Sequence, residues 1–192
     1  MAKAGHASLA IAKLAAPGLI NAGGFKLTSP AFDDGEELDP SFTADEEDAV
    51  APPLEWSAPP SDAVELVLIV EDPDVQGTEP GCNWLVWGLA PQKGRLLEGE
   101  TPPRVGKNSQ RNSEWLLPKL PAGEPHHYVF QLFALDAPIE LSPGSDREAL
   151  LEEMEDHVIA VTLLTAVYEH SDEEDEGEWD DVEIDKIDFD GN

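Results

Sequence analysis

Four short apolar runs, rich in β-branched and aromatic residues, are set apart by stretches that proline interrupts again and again. The runs are 64–70 (VELVLIV), 83–89 (NWLVWGL), 128–135 (YVFQLFAL) and 158–168 (VIAVTLLTAVY). Their lengths suit buried strands, and their side chains favour a pleated surface. The last run is long enough to hold a first helical turn, but its Val, Thr and Ile content tilts it to strand. Between the runs, Pro52-Pro53, Pro59-Pro60, Pro102-Pro103, Pro118, Pro121 and Pro125 break the chain. Proline lacks the N–H that a helix interior or a central strand needs. Seventeen prolines and fifteen glycines therefore argue against a helix bundle.

One later helix is well signalled. Ser145-Asp146-Arg147-Glu148 reads as a capping box, and Leu150, Leu151, Met154 and Val158 recur at helical spacing. This predicts a helix over 146–158. Near the start, Ser8 to Ala16 reads as a short Ala-rich amphipathic helix stopped by Pro17-Gly18. Lys13 interrupts that run and only Lys3 precedes it, which makes a poor signal peptide. The expected fold is mainly β: an antiparallel β-sandwich with a few peripheral helices.

A chain of 192 residues suits one domain with tails. The expected division is an Ala-rich segment over 1–22, the domain over 23–170 and an acidic C-terminal tail over 171–192. The net charge is −30. Such a field repels phosphate backbones and anionic membranes, so nucleic acid is excluded as a partner. No apolar run reaches the roughly 20 residues of a membrane span. The tail holds twelve acids and one lysine. That composition repels itself and stays solvated, although Trp179, Val182, Ile184, Ile187 and Phe189 also suit an arm docking on its own domain or on a partner. Adaptation to high salt gives a third reading. A single cysteine, Cys82, rules out an internal disulfide and a CxxC zinc site. The cytoplasm is the expected compartment.

Three loop-edge clusters carry the candidate chemistry. Glu71-Asp72-Pro73-Asp74 follows the first strand and offers carboxylates held by a proline. Gly106-Lys107-Asn108-Ser109 lies between two Pro-rich stretches, where Asn and Ser can cap backbone groups or bind a ligand. Pro125-His126-His127-Tyr128 opens the third strand. Alternation puts His126 and Tyr128 on one face and His127 on the other.

In order and spacing these pieces resemble the phosphatidylethanolamine-binding protein family, also called Raf kinase inhibitor-like, in its bacterial and archaeal branch. PPLEW (52–56) resembles the family's SPPLxW, and VEDPDV (70–75) its DPDAP. NW (83–84), GKNS (106–109) and WLLPKLPAGEPHHYVFQLFALD (115–136) follow in the family's order. The likeness runs over about residues 23–170. It implies a β-sandwich with a small anion pocket near the surface. Carried over by position, the ligand-binding residues are Asp72, Asn83, Pro118, Pro121, His126 and Tyr128. Asp74 and Asn108 are expected to support the loops. The family has a His where this chain has Asn83, which can donate a hydrogen bond but cannot carry charge.

The implied function is a non-catalytic ligand-binding or regulatory protein, kinase-inhibitor-like in the manner of animal and plant members. Its expected ligand is a small anion or a phosphorylated or zwitterionic small molecule, with no cofactor and no metal. A protein partner and a homodimer stay open. One alternative is an interaction protein working through its acidic tail. Another is a hydrolase using His126 with Asp72, but no G-x-S-x-G supplies a nucleophile.

Overall fold

A computed structural model describes residues 4–171. The expected tail therefore lies, from residue 172 onward, outside the described residues. Among the described residues, seven strands form two antiparallel sheets. They are β1 (Leu27–Thr28), β2 (Leu54–Trp56), β3 (Glu65–Asp72), β4 (Gly81–Leu89), β5 (Gly94–Leu96), β6 (His126–Leu135) and β7 (Val158–Tyr168). One sheet has the order β1-β2-β5 and the other β4-β3-β6-β7. The helices are α1 (Ala4–Ala7), α2 (Ala10–Leu14) and α3 (Arg147–Met154).

The four apolar runs are the four strands of the larger sheet. Alternation divides β3 between two cores. Leu66, Leu68 and Val70 meet Leu54, Trp56 and Leu96 of the smaller sheet, which makes the sandwich interior. Val67 and Ile69 face the other way and pack with Leu150 and Met154 of α3 and with Ala10 of α2. Burial on both faces explains why this run reads as continuously apolar rather than alternating. The last run is strand along its whole length, with no helical first turn.

Both predicted helices need correction. The cap of α3 is Asp146, not Ser145: its Oδ1 accepts the Ala149 N–H at 2.9 Å, while the Ser145 hydroxyl donates to the Ser142 carbonyl. The helix ends at Met154 rather than Val158, because Glu155 is extended and Asp156 takes a left-handed φ of 66°, turning the chain into β7. The helix expected over 8–16 is confined to α2 (Ala10–Leu14), with α1 separate before it, since Leu9 is not helical. The N–H of Ala10 donates to Glu71 Oε1 at 2.7 Å and that of Ile11 to Gln131 Oε1 at 2.8 Å. Side chains of β3 and β6 thus satisfy two donors that every helix start leaves open.

Those bonds belong to a larger staple. Arg147 Nε donates to Glu71 Oε2 at 2.6 Å, and its Nη2 donates to the Ser8 carbonyl at 2.7 Å. Gln131 Nε2 donates to Glu71 Oε1 at 2.8 Å. Glu71 is fully buried. It therefore takes no part in the cleft that its neighbour Asp72 faces.

Candidate functional site

Strand order decides what meets at the site. In an antiparallel sheet ordered β4-β3-β6-β7, the end of β3 lies beside the starts of β4 and β6. Asp72 ends β3, Asn83 lies near the start of β4, and His126 and Tyr128 open β6. The chain leading into β6 carries Pro118 and Pro121. All six line one cleft of about 1000 Å³, together with Asp74, Ser109, Lys119 and Glu124. Residues far apart in sequence reach it because the ends of three strands meet at one end of the sheet.

Asp72 and His126 are joined directly: His126 Nδ1 lies 2.6 Å from Asp72 Oδ2, and both side chains are nearly covered. Asp72 Oδ1 accepts the Asp74 N–H at 2.8 Å. Ionised, this carboxylate only accepts, so the proton between the pair sits on Nδ1 and Nε2 is left as the second working atom of the ring. Burial pushes the Asp72 carboxyl above its usual range, and the bonds from His126 and Asp74 offset this only in part. Tyr128 is buried beside them. Burial first, then the Asp72 and Asp74 charges and a bond to Asp72, push its phenol upward, so it stays a neutral hydroxyl.

Asn83 owes its position to a bulge. Val70 pairs with Trp84 but Glu71 pairs with Cys82, so Asn83 is the extra residue on β4. Such an insertion re-aims a side chain that strict alternation would send elsewhere. The Asn83 amide donates to the Leu116 carbonyl at 3.0 Å, and the Leu116 N–H returns to the Asn83 carbonyl at 2.9 Å. Asn83 thus ties the Pro118–Pro121 loop to the sheet as well as lining the cleft.

The supporting residues make many bonds. Asn108 donates to Asn112 Oδ1 and the Glu114 carbonyl, and its own Oδ1 accepts the Gln110 N–H. Ser109 Oγ accepts the Cys82 N–H at 2.7 Å, fixing the loop along β4. Gly106 is required at its position: a Cβ there would stand 2.6 Å from the Ser145 carbonyl oxygen and 2.8 Å from the Trp87 ring. Gly106→Ala is expected to cost roughly 1–3 kcal/mol by overpacking, measured as a shift in the urea midpoint at constant slope.

Asp74 lines the same cleft and is held from the side of His127 and His6. Its Oδ2 accepts the backbone N–H and lies at the ring Nδ1 of His127, each at 2.7 Å, and its Oδ1 lies 3.1 Å from His6 Nε2. Burial alone would raise its carboxyl, but the bonds from His127 and His6 outweigh it and hold the group below its usual range. A lowered acid stabilises the fold above its unfolded value, near pH 4, and that stability is lost as pH falls through the lowered value. Asp72 acts in the opposite sense: its shift favours the fold when protonated, and that contribution fades as pH rises through the raised value. Asp74→Asn is expected to cost about 2 kcal/mol at pH 7, with the gap to the parent closing below about pH 4. Urea melts at pH 7 and pH 3 check this, and an equal gap at both would contradict it.

Sequence reasoning singled out Ser109 within the second cluster and missed Lys119 as a lining residue. Lys119 sits between the two prolines already singled out, so the loop itself was the signal. Cys82 is buried, and burial pushes its thiol up to about 12, which leaves it unreactive as a nucleophile. Among the described residues, no three His, Cys, Asp or Glu side chains are grouped to hold a metal ion. No described helix is long and apolar enough to cross a membrane.

Comparison with known proteins gives consistent relatives. A family model described as phosphatidylethanolamine-binding protein matches residues 28–169. A UPF0098 protein of Methanothermobacter thermautotrophicus is 32% identical over 152 residues, which is 74% of this chain and 97% of the relative. LppC of Mycobacterium tuberculosis, which bears a lipoprotein's name, is 40% identical over 124 residues, or 62% of this chain and 59% of that protein. The crystal structure of CT736 from Chlamydia trachomatis superposes with a TM-score of 0.71 at 34% identity, covering 77% of this chain and 98% of CT736.

Proposed function

Because this chain belongs to the phosphatidylethanolamine-binding protein family, we propose that it is a non-catalytic binding protein of regulatory role. Its cleft takes a small phosphorylated or zwitterionic molecule. The observation that carries this reading is the 2.6 Å contact between Asp72 and His126 at the floor of a cleft lined by Asn83, Tyr128 and Lys119. Phosphate needs donors, preferably charged ones. The His126 ring and the Lys119 ammonium, both lining the cleft, supply donors. Asp72 opposes a bare dianion but suits the ammonium of an ethanolamine-type head group. A ligand with both charges uses the whole cleft.

The absence of charge on Asn83 and the carboxylate at the floor keep phosphate binding weak, with Kd in the millimolar range, about −4 kcal/mol. Asp72, whose carboxyl burial holds above its usual range, gains its charge as pH rises through that value and then opposes an anion, so affinity is expected to fall as pH rises. Calorimetric titration of inorganic phosphate and O-phosphorylethanolamine at pH 5.5 and 8 tests the reading. His126→Ala is expected to abolish binding and Asn83→His to strengthen it. Micromolar binding indifferent to both pH and His126 would overturn it.

The reading includes a cytoplasmic location. In the structure the N-terminal segment is part of the folded domain: Ala10 is buried and bonded to Glu71. Recovery of the protein in the membrane fraction of its own cells would overturn this part alone.

A further inference from the structure

On the far side of the smaller sheet from the cleft's sheet, Lys26, Lys93 and Arg95 gather in a groove of about 580 Å³. Lys26 precedes β1, Lys93 precedes β5, and Arg95 lies on β5 opposite Glu55 of β2. Glu55 is the one acid lining the groove. Asp33 and Asp34 lie across an adjoining groove that shares Lys26. Residues 4–171 contain nine lysines and arginines, so a third of them stand here in a protein of charge −30. All three are exposed, and the lysine and arginine ion pairs seen among the described residues are those of Lys13, Arg104 and Arg147 with glutamates. The groove floor is firm. Trp56 Nε1 donates to the Gln92 carbonyl at 3.1 Å, and its ring lies across Gly94, where a Cβ would come within 3.0 Å.

We propose that this groove is the docking site for the acidic residues 172–192 of the same chain. Charge is complementary: three cations against one acid in the groove, and twelve acids against one lysine in the segment. Length suffices. Twenty-one residues reach up to about 70 Å, several times the radius of gyration of about 15 Å expected for a domain of this size. Competition is limited. A net charge of −30 repels other acidic macromolecules, whereas a tethered segment acts at an effective concentration in the millimolar range. The occupant is thus favoured in cis over a second copy.

Zero-length carbodiimide coupling of the full chain, read by mass spectrometry, tests this. It joins carboxylates to amines in contact. Lys26 and Lys93 are expected to couple to residues 172–192 about fivefold more than Lys107 and Lys119 do, with the excess lost at 0.5 M salt, where exposed charges are screened within about 4–5 Å. Arg95→Glu and Arg95→Gln leave both lysines as reporters. Each is expected to lower their coupling several-fold, the reversal more, with an unchanged circular dichroism spectrum. An equal mixture of isotope-labelled and unlabelled chains distinguishes the source. Mixed-isotope products would mean a second copy and overturn the proposal. Coupling spread evenly over the four lysines, or unaffected by either Arg95 variant, would also overturn it.

Discussion

Arg147→Met is expected to lower the melting temperature by about 10 °C. The reason is what it leaves behind. Glu71 is fully buried, and Arg147 is the cation that meets it, at 2.6 Å. Removing one partner of a buried ion pair strands the other charge, which costs about 3–5 kcal/mol. In a domain of this size each kcal/mol moves the melting point by about 2–4 °C. Glu71→Met in the same chain removes the stranded charge, so the double variant is expected to recover much of the loss. The single variant also frees the Ser8 carbonyl from its guanidinium partner. Hydrogen exchange at Ala10 and Ile11 is therefore expected to accelerate more than in the sandwich strands. A melting point within about 2 °C of the parent, less than 1 kcal/mol, would show that the pair is not what holds this face together.

Trp115→Ala is expected to cost about 3–5 kcal/mol, the range for a large buried aromatic. The Trp115 ring stacks on Phe130 at 5.9 Å and meets Trp84 edge-on at 5.7 Å. Its Nε1 donates to the Phe42 carbonyl at 3.1 Å. Trp115 is also the residue before Leu116, whose backbone pairs with Asn83. Losing the indole unpins the loop that carries Pro118, Lys119 and Pro121 over the cleft. Phosphate binding is thus expected to weaken along with stability. Trp115→Phe keeps the ring stack and loses the N–H bond, so it is expected to cost only about 1 kcal/mol. Urea melts and phosphate titration of both variants check the pair. Equal losses from the two would assign the effect to the hydrogen bond rather than to packing.

The strands were legible because apolar runs of strand length punctuated by proline leave few other options. The family likeness, which the comparisons bear out, carried the sandwich with it. The N-terminal break was not legible. Ser8 to Ala16 has helical composition, and only the position of Glu71 and Gln131, more than sixty residues away, decides that α2 starts at Ala10. The bulge at Asn83 was hidden for a similar reason. Nothing in NWLV marks an extra residue, because both faces of β4 are apolar and a shift of pattern leaves no trace. Glu71 and Asp72 looked like one acidic cluster. A period of two sends them to opposite cores, a rule that applied as soon as the strand was taken to run through residue 72.

That last alternation has a mechanical consequence. A single peptide unit joins Asp72, at the floor of the cleft, to Glu71, the peg on which residues 8–11 hang through Arg147 and the Ala10 N–H. Force or bulk applied near Leu9, whether from an attached surface, a fused tag or a lipid, is transmitted through a stiff central strand to the carboxylate that holds His126. A tether near Leu9 is therefore expected to be felt at the cleft, while one placed on the loop at Gly123, whose surroundings are open, loads the lip of the cleft instead.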